Sequence, residues 1–315
     1  MHKIFKKIGV LMLTLALLLG IFIISGCGQE DPSQELDTLR FGLLPDITCL
    51  PMVVAEKEGI YEELGLQVEL VYFSKAMERD QALQAGKIDG AISDFVAVGF
   101  FQDSGFDVKI TSQNEGTFTV LASPYSTINS VADLEGKTVG VSQNTIIEFM
   151  VDEILMDHGL TPEDVNKEFI SAIPLRREML LQGQIDAACL PEPLGALSVE
   201  QGASKVTDSE EEGLTPSVII FTQEAIEDKR ESVELFYHAY GEAAELINPD
   251  PSQYNDLLLE KLRFPEEIID TYEIPYFAQP FIPEEEDAEK YLIWLEGRVD
   301  RDLTFEDLVD DSFAE

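Results

Sequence analysis

Gly86-Lys87-Ile88-Asp89-Gly90-Ala91 returns 97 residues later as Gly183-Gln184-Ile185-Asp186-Ala187-Ala188. Both copies share G-x-I-D-x-A, and both read as a helix end, a glycine turn and the start of a short strand. At the same offset Phe41-Gly42-Leu43-Leu44 meets Thr138-Val139-Gly140-Val141, and Thr48 meets Thr145. Each member of that second match is a strand, a polar turn and a helix. Two matches at one offset, with the same local structure, predict two lobes of one β/α design.

The stretches around the repeat fit this reading. Residues 39–44 form a buried strand pattern. Residues 50–64 read as a helix with Pro51 in its first turn and Gly65 beyond its end. Residues 67–73 are β-rich, 75–84 helical, and 90–92 begin another strand. Such β-α-β units imply a mainly parallel sheet flanked by helices. Two apolar stretches, 119–125 and 217–222, read as crossings between lobes. Lobe one is then 38–122 with 218–315, and lobe two 123–217. The tail helices at 231–247, 254–262 and 288–295 are expected to pack on lobe one. A two-lobed α/β chain with two crossings has a cleft and can close by hinge motion.

The amino end carries its own signal. His2, Lys3, Lys6 and Lys7 precede an almost continuously apolar run, 8–24, and Ile24-Ser25-Gly26-Cys27 ends it. Basic, apolar and small-residue segments in that order describe an export signal. About 17 apolar residues could also just span a bilayer. The Ile24-Ser25-Gly26-Cys27 ending decides, because it resembles the lipobox of bacterial lipoproteins. Residues 1–26 are read as signal peptide and 27–37 as a tether lipidated on Cys27 (diacylglycerol and palmitate). Two acyl chains suffice for stable anchoring, which places the body on the outer face of a cytoplasmic membrane.

With 61 Asp and Glu against 21 Lys and Arg, the formal charge is −40. That excludes nucleic acid as a partner. The acids are dispersed and no D-x-D-x-D-G loop occurs, so the charge reads as a solvated surface rather than a calcium site. Cys49 and Cys189 read as free thiols. The three histidines are scattered, so neither a metal cluster nor a Ser-His-Asp arrangement assembles.

Leu50-Pro51-Met52-Val53-Val54-Ala55-Glu56-Lys57-Glu58-Gly59-Ile60-Tyr61 and Leu64-Gly65-Leu66-Gln67-Val68-Glu69 carry a family resemblance. So do Leu83-Gln84-Ala85-Gly86-Lys87-Ile88-Asp89, Val131-Ala132-Asp133-Leu134-Glu135-Gly136-Lys137, the second G-x-I-D copy and Pro191-Glu192-Pro193. Together they resemble the solute-binding proteins of nitrate, taurine and aliphatic-sulfonate importers, whose relatives handle the thiamine pyrimidine. The resemblance covers the chain from Leu39. It implies a type II periplasmic-binding-protein fold, no cofactor, a monomer, and delivery of a small molecule to an ABC permease with its ATPase.

In open α/β sheets, ligands sit beyond the carboxyl ends of the strands. Four loops answer that description. They contribute Asp46 and Thr48, Ser93 and Asp94, Asn144 and Thr145, and Glu192 between two prolines. Thr48, Ser93, Asn144 and Thr145 could equally be helix caps. Glu192 is expected to bond the ligand or a donor across the cleft. Arg176 and Arg177 start a helix, an unfavourable place for a cation, and Arg177 is the candidate to face an anion. An oxyanion would want such an arginine. A flat heterocycle would want aromatic faces, with Phe95, Phe118, Tyr125 and Phe149 as candidates. Asp46, Asp94 and Glu192 lean the reading toward a neutral or cationic organic ligand. Two alternatives stand beside the transport role: a thiamine-pyrimidine-synthase-like enzyme on the same fold, and an extracellular ligand sensor for a membrane receptor.

Overall fold

A computed structural model describes residues 36–313. The signal peptide, Cys27 and nearly all of the tether lie outside the described residues. Sheet one is built from β1 (Leu39–Leu43), β2 (Val68–Tyr72), β3 (Gly90–Asp94), β4 (Val108–Gln113) and β10 (Ser217–Thr222), in the order β2-β1-β3-β10-β4. Sheet two uses β5 (Phe118–Ala122), β6 (Thr138–Val141), β7 (Asn166–Phe169), β8 (Ala187–Pro191) and β9 (Ser204–Asp208), in the order β7-β6-β8-β5-β9. In each, the fourth strand runs antiparallel to both neighbours, while the second strand, β1 or β6, pairs parallel on both sides. The two sheets are the same design, as the repeat predicts.

The strand register differs by one from the sequence match. Phe41 pairs with Gly90 and Gly42 with Ala91, whereas Val139 pairs with Ala187 and Gly140 with Ala188. Phe41 therefore corresponds to Val139, not Thr138. A one-residue slip sends every side chain to the other face, and two glycines fix the choice. A Cβ on Gly42 would lie 2.6 Å from Ile88 Cδ1, and one on Gly140 would lie 2.6 Å from Ile185 Cδ1. Each G-x-I-D isoleucine thus packs over a bare position on the second strand of its sheet, β1 or β6.

The first boundary also moves. Phe118–Ala122 pairs with β8 and β9, so lobe one does not extend to Ala122. The first crossing is residues 114–117. Ser217–Thr222 lies in sheet one, between β3 and β4.

Helices cover the sheets. In lobe one, α1 (Leu50–Glu58) stops at Gly59 (φ 78°) and resumes as α2 (Ile60–Glu63), where the sequence suggested one helix. There follow α3 (Ala76–Gln84) and α4 (Phe95–Asp103). Lobe two has α5 (Ile146–Asp157), α6 (Ile173–Leu181) and α7 (Leu194–Glu200). The tail holds α8 (Gln223–Asp228), α9 (Arg230–Ile247), α10 (Asn255–Glu260), α11 (Glu285–Leu295) and α12 (Phe305–Leu308). Phe236, Ala239, Ala243 and Ile247 bury one stripe of α9 in the apolar cluster that also holds Met52 and Val53 of α1. The α11 helix, however, bridges both lobes. Its Tyr291 ring stacks 4.2 Å from Phe95 of α4 and 4.2 Å from Phe149 of α5. Trp294 Nε1 donates to Asp152 Oδ2 of α5 at 3.0 Å. One apolar core therefore runs through the two lobes on this side.

Candidate functional site

The carboxyl ends of both sheets carry the loops expected to hold a ligand. Asp46 follows β1 and its Oδ1 accepts the Thr48 N–H at 2.9 Å, capping the short turn Ile47–Cys49. Burial raises the Asp46 carboxyl, against the pull of the Thr48 donor. Thr48 is buried, with its methyl against the first crossing: a Cβ on Gly116 would meet Thr48 Cγ2 at 3.2 Å. Asp94 ends β3 and caps α4 through the Ala97 N–H at 2.9 Å. Burial pushes its carboxyl up to about 6, although Ala97 and Arg79 oppose the shift. Ser93 beside it accepts from Arg79 Nη2 at 3.3 Å.

In lobe two, Asn144 takes a left-handed backbone (φ 54°) and gives its N–H to Glu148 Oε2 at 2.7 Å. Thr145 caps α5 by accepting the Ile147 N–H at 3.3 Å, and its hydroxyl donates to Ser142 O at 2.8 Å. Asp46, Asp94 and Thr145 are thus helix caps that also stand at the strand ends.

Two expectations need correction. Arg177 does not face the cleft. Its Nε donates to Ser198 Oγ at 3.1 Å and its Nη2 to Gln201 Oε1 at 2.6 Å, at the far end of α7 from Glu192. Glu192 meets no donor across the cleft either. Thr119 Oγ1 donates to its Oε1 at 2.9 Å and the Ala196 N–H to its Oε2 at 2.9 Å, both within lobe two. Burial raises this carboxyl, and the negative charges of Asp46 and Asp208 add to the rise. The aromatic candidates fare similarly. Phe95 and Phe149 are core, held around Tyr291. Tyr125 is 78% exposed and lies over Gly183, at the amino end of β8, opposite to the ligand loops.

Residues that the sequence reading passed over complete the site. Tyr272, from the loop after α10, is half-buried and packs edge-on to Phe264. Its hydroxyl is pushed up by burial and by the charges of Glu192 and Asp46. Charges from both lobes thus reach this ring of the tail. No periodic pattern marks a lone tyrosine in the irregular stretch between Glu260 and Glu285. Glu115, in the first crossing, accepts the Ala278 N–H at 2.7 Å and the Tyr240 hydroxyl at 3.3 Å, tying the tail over the hinge. Asn114 is 1% exposed with neither amide atom partnered. Its place between two sheet codes gave no signal in sequence.

Burial pushes the Cys49 thiol up to about 12, with Asp46 adding to it, and the Cys189 thiol likewise. Neither is a nucleophile near neutral pH. A cavity of about 520 Å³ lies elsewhere, between α5, β7 and α11, crossed by the Lys167–Glu148 ion pair.

Known proteins share this architecture. A protein of Brachyspira hyodysenteriae, provisionally named an ABC transporter periplasmic binding protein, is 26% identical over 273 residues, covering 81% of this chain and 78% of its own. The aliphatic sulphonate binding protein SsuA of Escherichia coli shares the fold at a TM-score of 0.77 and 20% identity, over 90% of this chain and 94% of that one. The alkanesulfonate-binding SsuA of Xanthomonas axonopodis pv. citri, solved with MOPS bound, does so at 0.74 and 18%, over 89% and 100%. Both are type II periplasmic-binding-protein folds. The family described as NMT1/THI5 like matches residues 46–254, two thirds of the sequence, and with the paired sheets and their facing strand ends this settles its membership: the chain belongs to the NMT1/THI5-like family.

Proposed function

We propose that the chain is an extracytoplasmic solute-binding lipoprotein, anchored through Cys27, that captures a small molecule between its sheets and delivers it to an ABC permease. One observation carries the reading: Asp46 of lobe one and Glu192 of lobe two follow strand ends of two sheets of one design, near enough for their charges to act on each other and on Tyr272 of the tail. That is a site which only two lobes together can form. The names of the Brachyspira relative and of the two SsuA structures support it. A thermal-shift screen tests the binding. A ligand at 100 times its dissociation constant stabilises by about 2.7 kcal/mol, and small-angle scattering with that ligand should show a smaller radius of gyration. Unchanged scattering would count against a closing cleft. For the anchor, wild type should partition into detergent and Cys27→Ser into water, and identical partitioning would remove the lipid from the account.

An enzyme on the same fold is the second reading. It needs a nucleophile or an acid–base pair at the cleft, and the buried, high-pKa Cys49 thiol is a poor one. Turnover of a bound pyrimidine would establish the enzyme. A sensor would bind and close in the same way, so a pull-down with the permease separates it from a transporter.

A further inference from the structure

The repeat gives each lobe a groove between its first helix and its edge strand, α1 with β2 in lobe one and α5 with β7 in lobe two. The two edge strands end alike: Tyr72 pairs with Leu43 and Phe169 with Val141, matching residues of β1 and β6. Every second residue of a strand faces the same side. Val68 and Leu70 accordingly pack into the cluster of α1, while Val165, Lys167 and Phe169 line the cavity beside α5.

The tail fills the first groove. Leu258 and Leu262 are fully buried in the α1 cluster. Lys261, between them, reaches Glu56 of α1 at 3.5 Å and stands 6.0 Å from the centre of the Tyr72 ring. What this groove takes is therefore an apolar segment that carries a cation.

The second groove has no such filler among the described residues. It stays open as the cavity of about 520 Å³, a size that suits a bound group. Met156, Phe169 and Ile293 stand exposed around it. Apolar side chains gathered at one cavity with a polar surround mark an interaction site, where scattered ones would not. Its charges are uneven, with Glu148, Asp152 and Glu163 set against Lys167 and Arg298. Lys167 is shared, 3.0 Å from Glu148 and 2.5 Å from Asp152 Oδ1, and the second contact lacks the alignment of a hydrogen bond. The Arg298 guanidinium lies 3.9 Å over the Trp294 ring. Glu163 is exposed and makes no ion pair among the described residues.

We propose that this lobe-two groove docks a basic amphipathic segment of a partner protein, its leucine-like face on Met156, Phe169 and Ile293 and its lysine or arginine beside Glu163. The chain's own tail on lobe one is the precedent, and an apolar helix face laid in a groove is a common mode of recognition. The excess carboxylate selects a basic segment over an acidic one. The groove lies outside the cleft, so the proposal does not depend on what the cleft binds.

Trp294 is the single tryptophan of the chain, so its fluorescence reports this groove and not its counterpart in lobe one. The mature protein is titrated with a synthetic peptide copying residues 254–264, which holds no tryptophan. Two further peptides carry changes: a basic one with Asp256→Lys and Glu260→Lys, and a reversed one with Lys261→Glu and Arg263→Glu. The basic peptide should shift the Trp294 emission saturably, at a lower concentration than the parent, and the reversed one should bind at least about tenfold more weakly than the basic one. In the protein, Phe169→Asp should weaken the basic peptide about tenfold, and Glu163→Gln should narrow the gap between basic and reversed peptides. If Phe169→Asp does not fold, Ile293→Asp, also at an exposed position, takes its place. No saturable shift with the basic peptide up to about 1 mM, or equal affinity in the aspartate variant and wild type, overturns the proposal. Equal binding of the reversed peptide overturns it too. Octylamine giving the same shift at the same concentration would assign the groove to a small amphiphile, and that also overturns the partner segment.

Discussion

Arg79 and Arg176 occupy the same place in the two lobes, each the fourth residue of its helix and each buried. Their surroundings differ. In lobe one, Arg79 Nε donates to Asp80 at 2.8 Å, Nη1 to Ile92 O at 2.6 Å and Nη2 to Ser93 Oγ at 3.3 Å. All three nitrogens are used and the charge is met. In lobe two the residue after the arginine is Arg177, which turns to α7, and Nε and Nη2 of Arg176 have no partner among the described residues. The G-x-I-D aspartates repeat the contrast. Asp89 takes Arg40 at 2.8 Å and Lys229 at 2.9 Å, whereas Asp186 takes the Thr138 backbone N–H at 2.8 Å. Lys229 comes from the chain returning after β10, so lobe two has no counterpart to supply. The repeat reproduces backbone and packing, and the charges are settled separately in each lobe: neutralised in the first, held open in the second.

The largest test of this contrast is to replace both arginines with Met. Arg79→Met strands Asp80, Ile92 O and Ser93, and should cost about 3 kcal/mol. Arg176→Met removes an unpaired charge and should change stability by no more than about 1 kcal/mol. Urea midpoints measure both, and equal losses would break the comparison.

Next come the aspartates. Asp89→Asn leaves two cations unmatched and should cost about 2 kcal/mol, while Asp186→Asn keeps an amide oxygen for Thr138 and should cost under about 1. Burial works to raise the Asp89 carboxyl, but the hydrogen bonds from Arg40 and Lys229 and the Lys229 charge outweigh it and hold it below the ordinary 3.8. Its contribution is present above 3.8 and lost as pH falls through the lower folded value. The gap between wild type and Asp89→Asn should therefore close in acid, which urea midpoints at pH 7 and in strong acid would show.

Asp94 has the opposite sign. With its carboxyl raised to about 6, the folded state binds its proton more tightly than the unfolded chain does. Stability from that proton is full below 3.8 and is lost as pH rises through 6. Asp94→Asn, which can still cap α4, should flatten the pH dependence of stability over that window by up to about 3 kcal/mol. An unchanged profile would remove burial as the cause. The smallest effect belongs to Glu192→Gln. It keeps one acceptor for Thr119 or Ala196 and should cost about 1 kcal/mol or less in stability. A larger loss on melting, without ligand, would mean the carboxylate is a structural brace for α7.

Much of this was legible in the sequence. The two G-x-I-D copies announce two like sheets because an isoleucine over a glycine and a buried aspartate at a strand start are local demands, readable at fixed spacing. Strand ends and the Thr145 cap were legible for the same reason, whereas in lobe one the caps are Asp46 and Asp94 rather than Thr48 and Ser93. Membership of β5 was not, since an apolar strand shows nothing of which sheet it will join. Arg177 was preferred to Arg176 because a helix start alone does not say which side faces inward. Tyr272 feels charges 80 or more residues away and Asn114 has no side-chain partner among the described residues, so no short-range pattern reports either.

The place of β10 between β3 and β4 has a consequence for the newborn chain. Sheet two lies within residues 118–208, one unbroken run, whereas β4 has no neighbour in sheet one except β10. A chain emerging amino end first can therefore finish its second half before its first. Until residue 222 has appeared, β3 presents an unpaired edge, the sort of edge that recruits other chains. Synthesis arrested after residue 216 would leave a completed lobe two attached to an open half-sheet, and that intermediate is where a chaperone would be needed most.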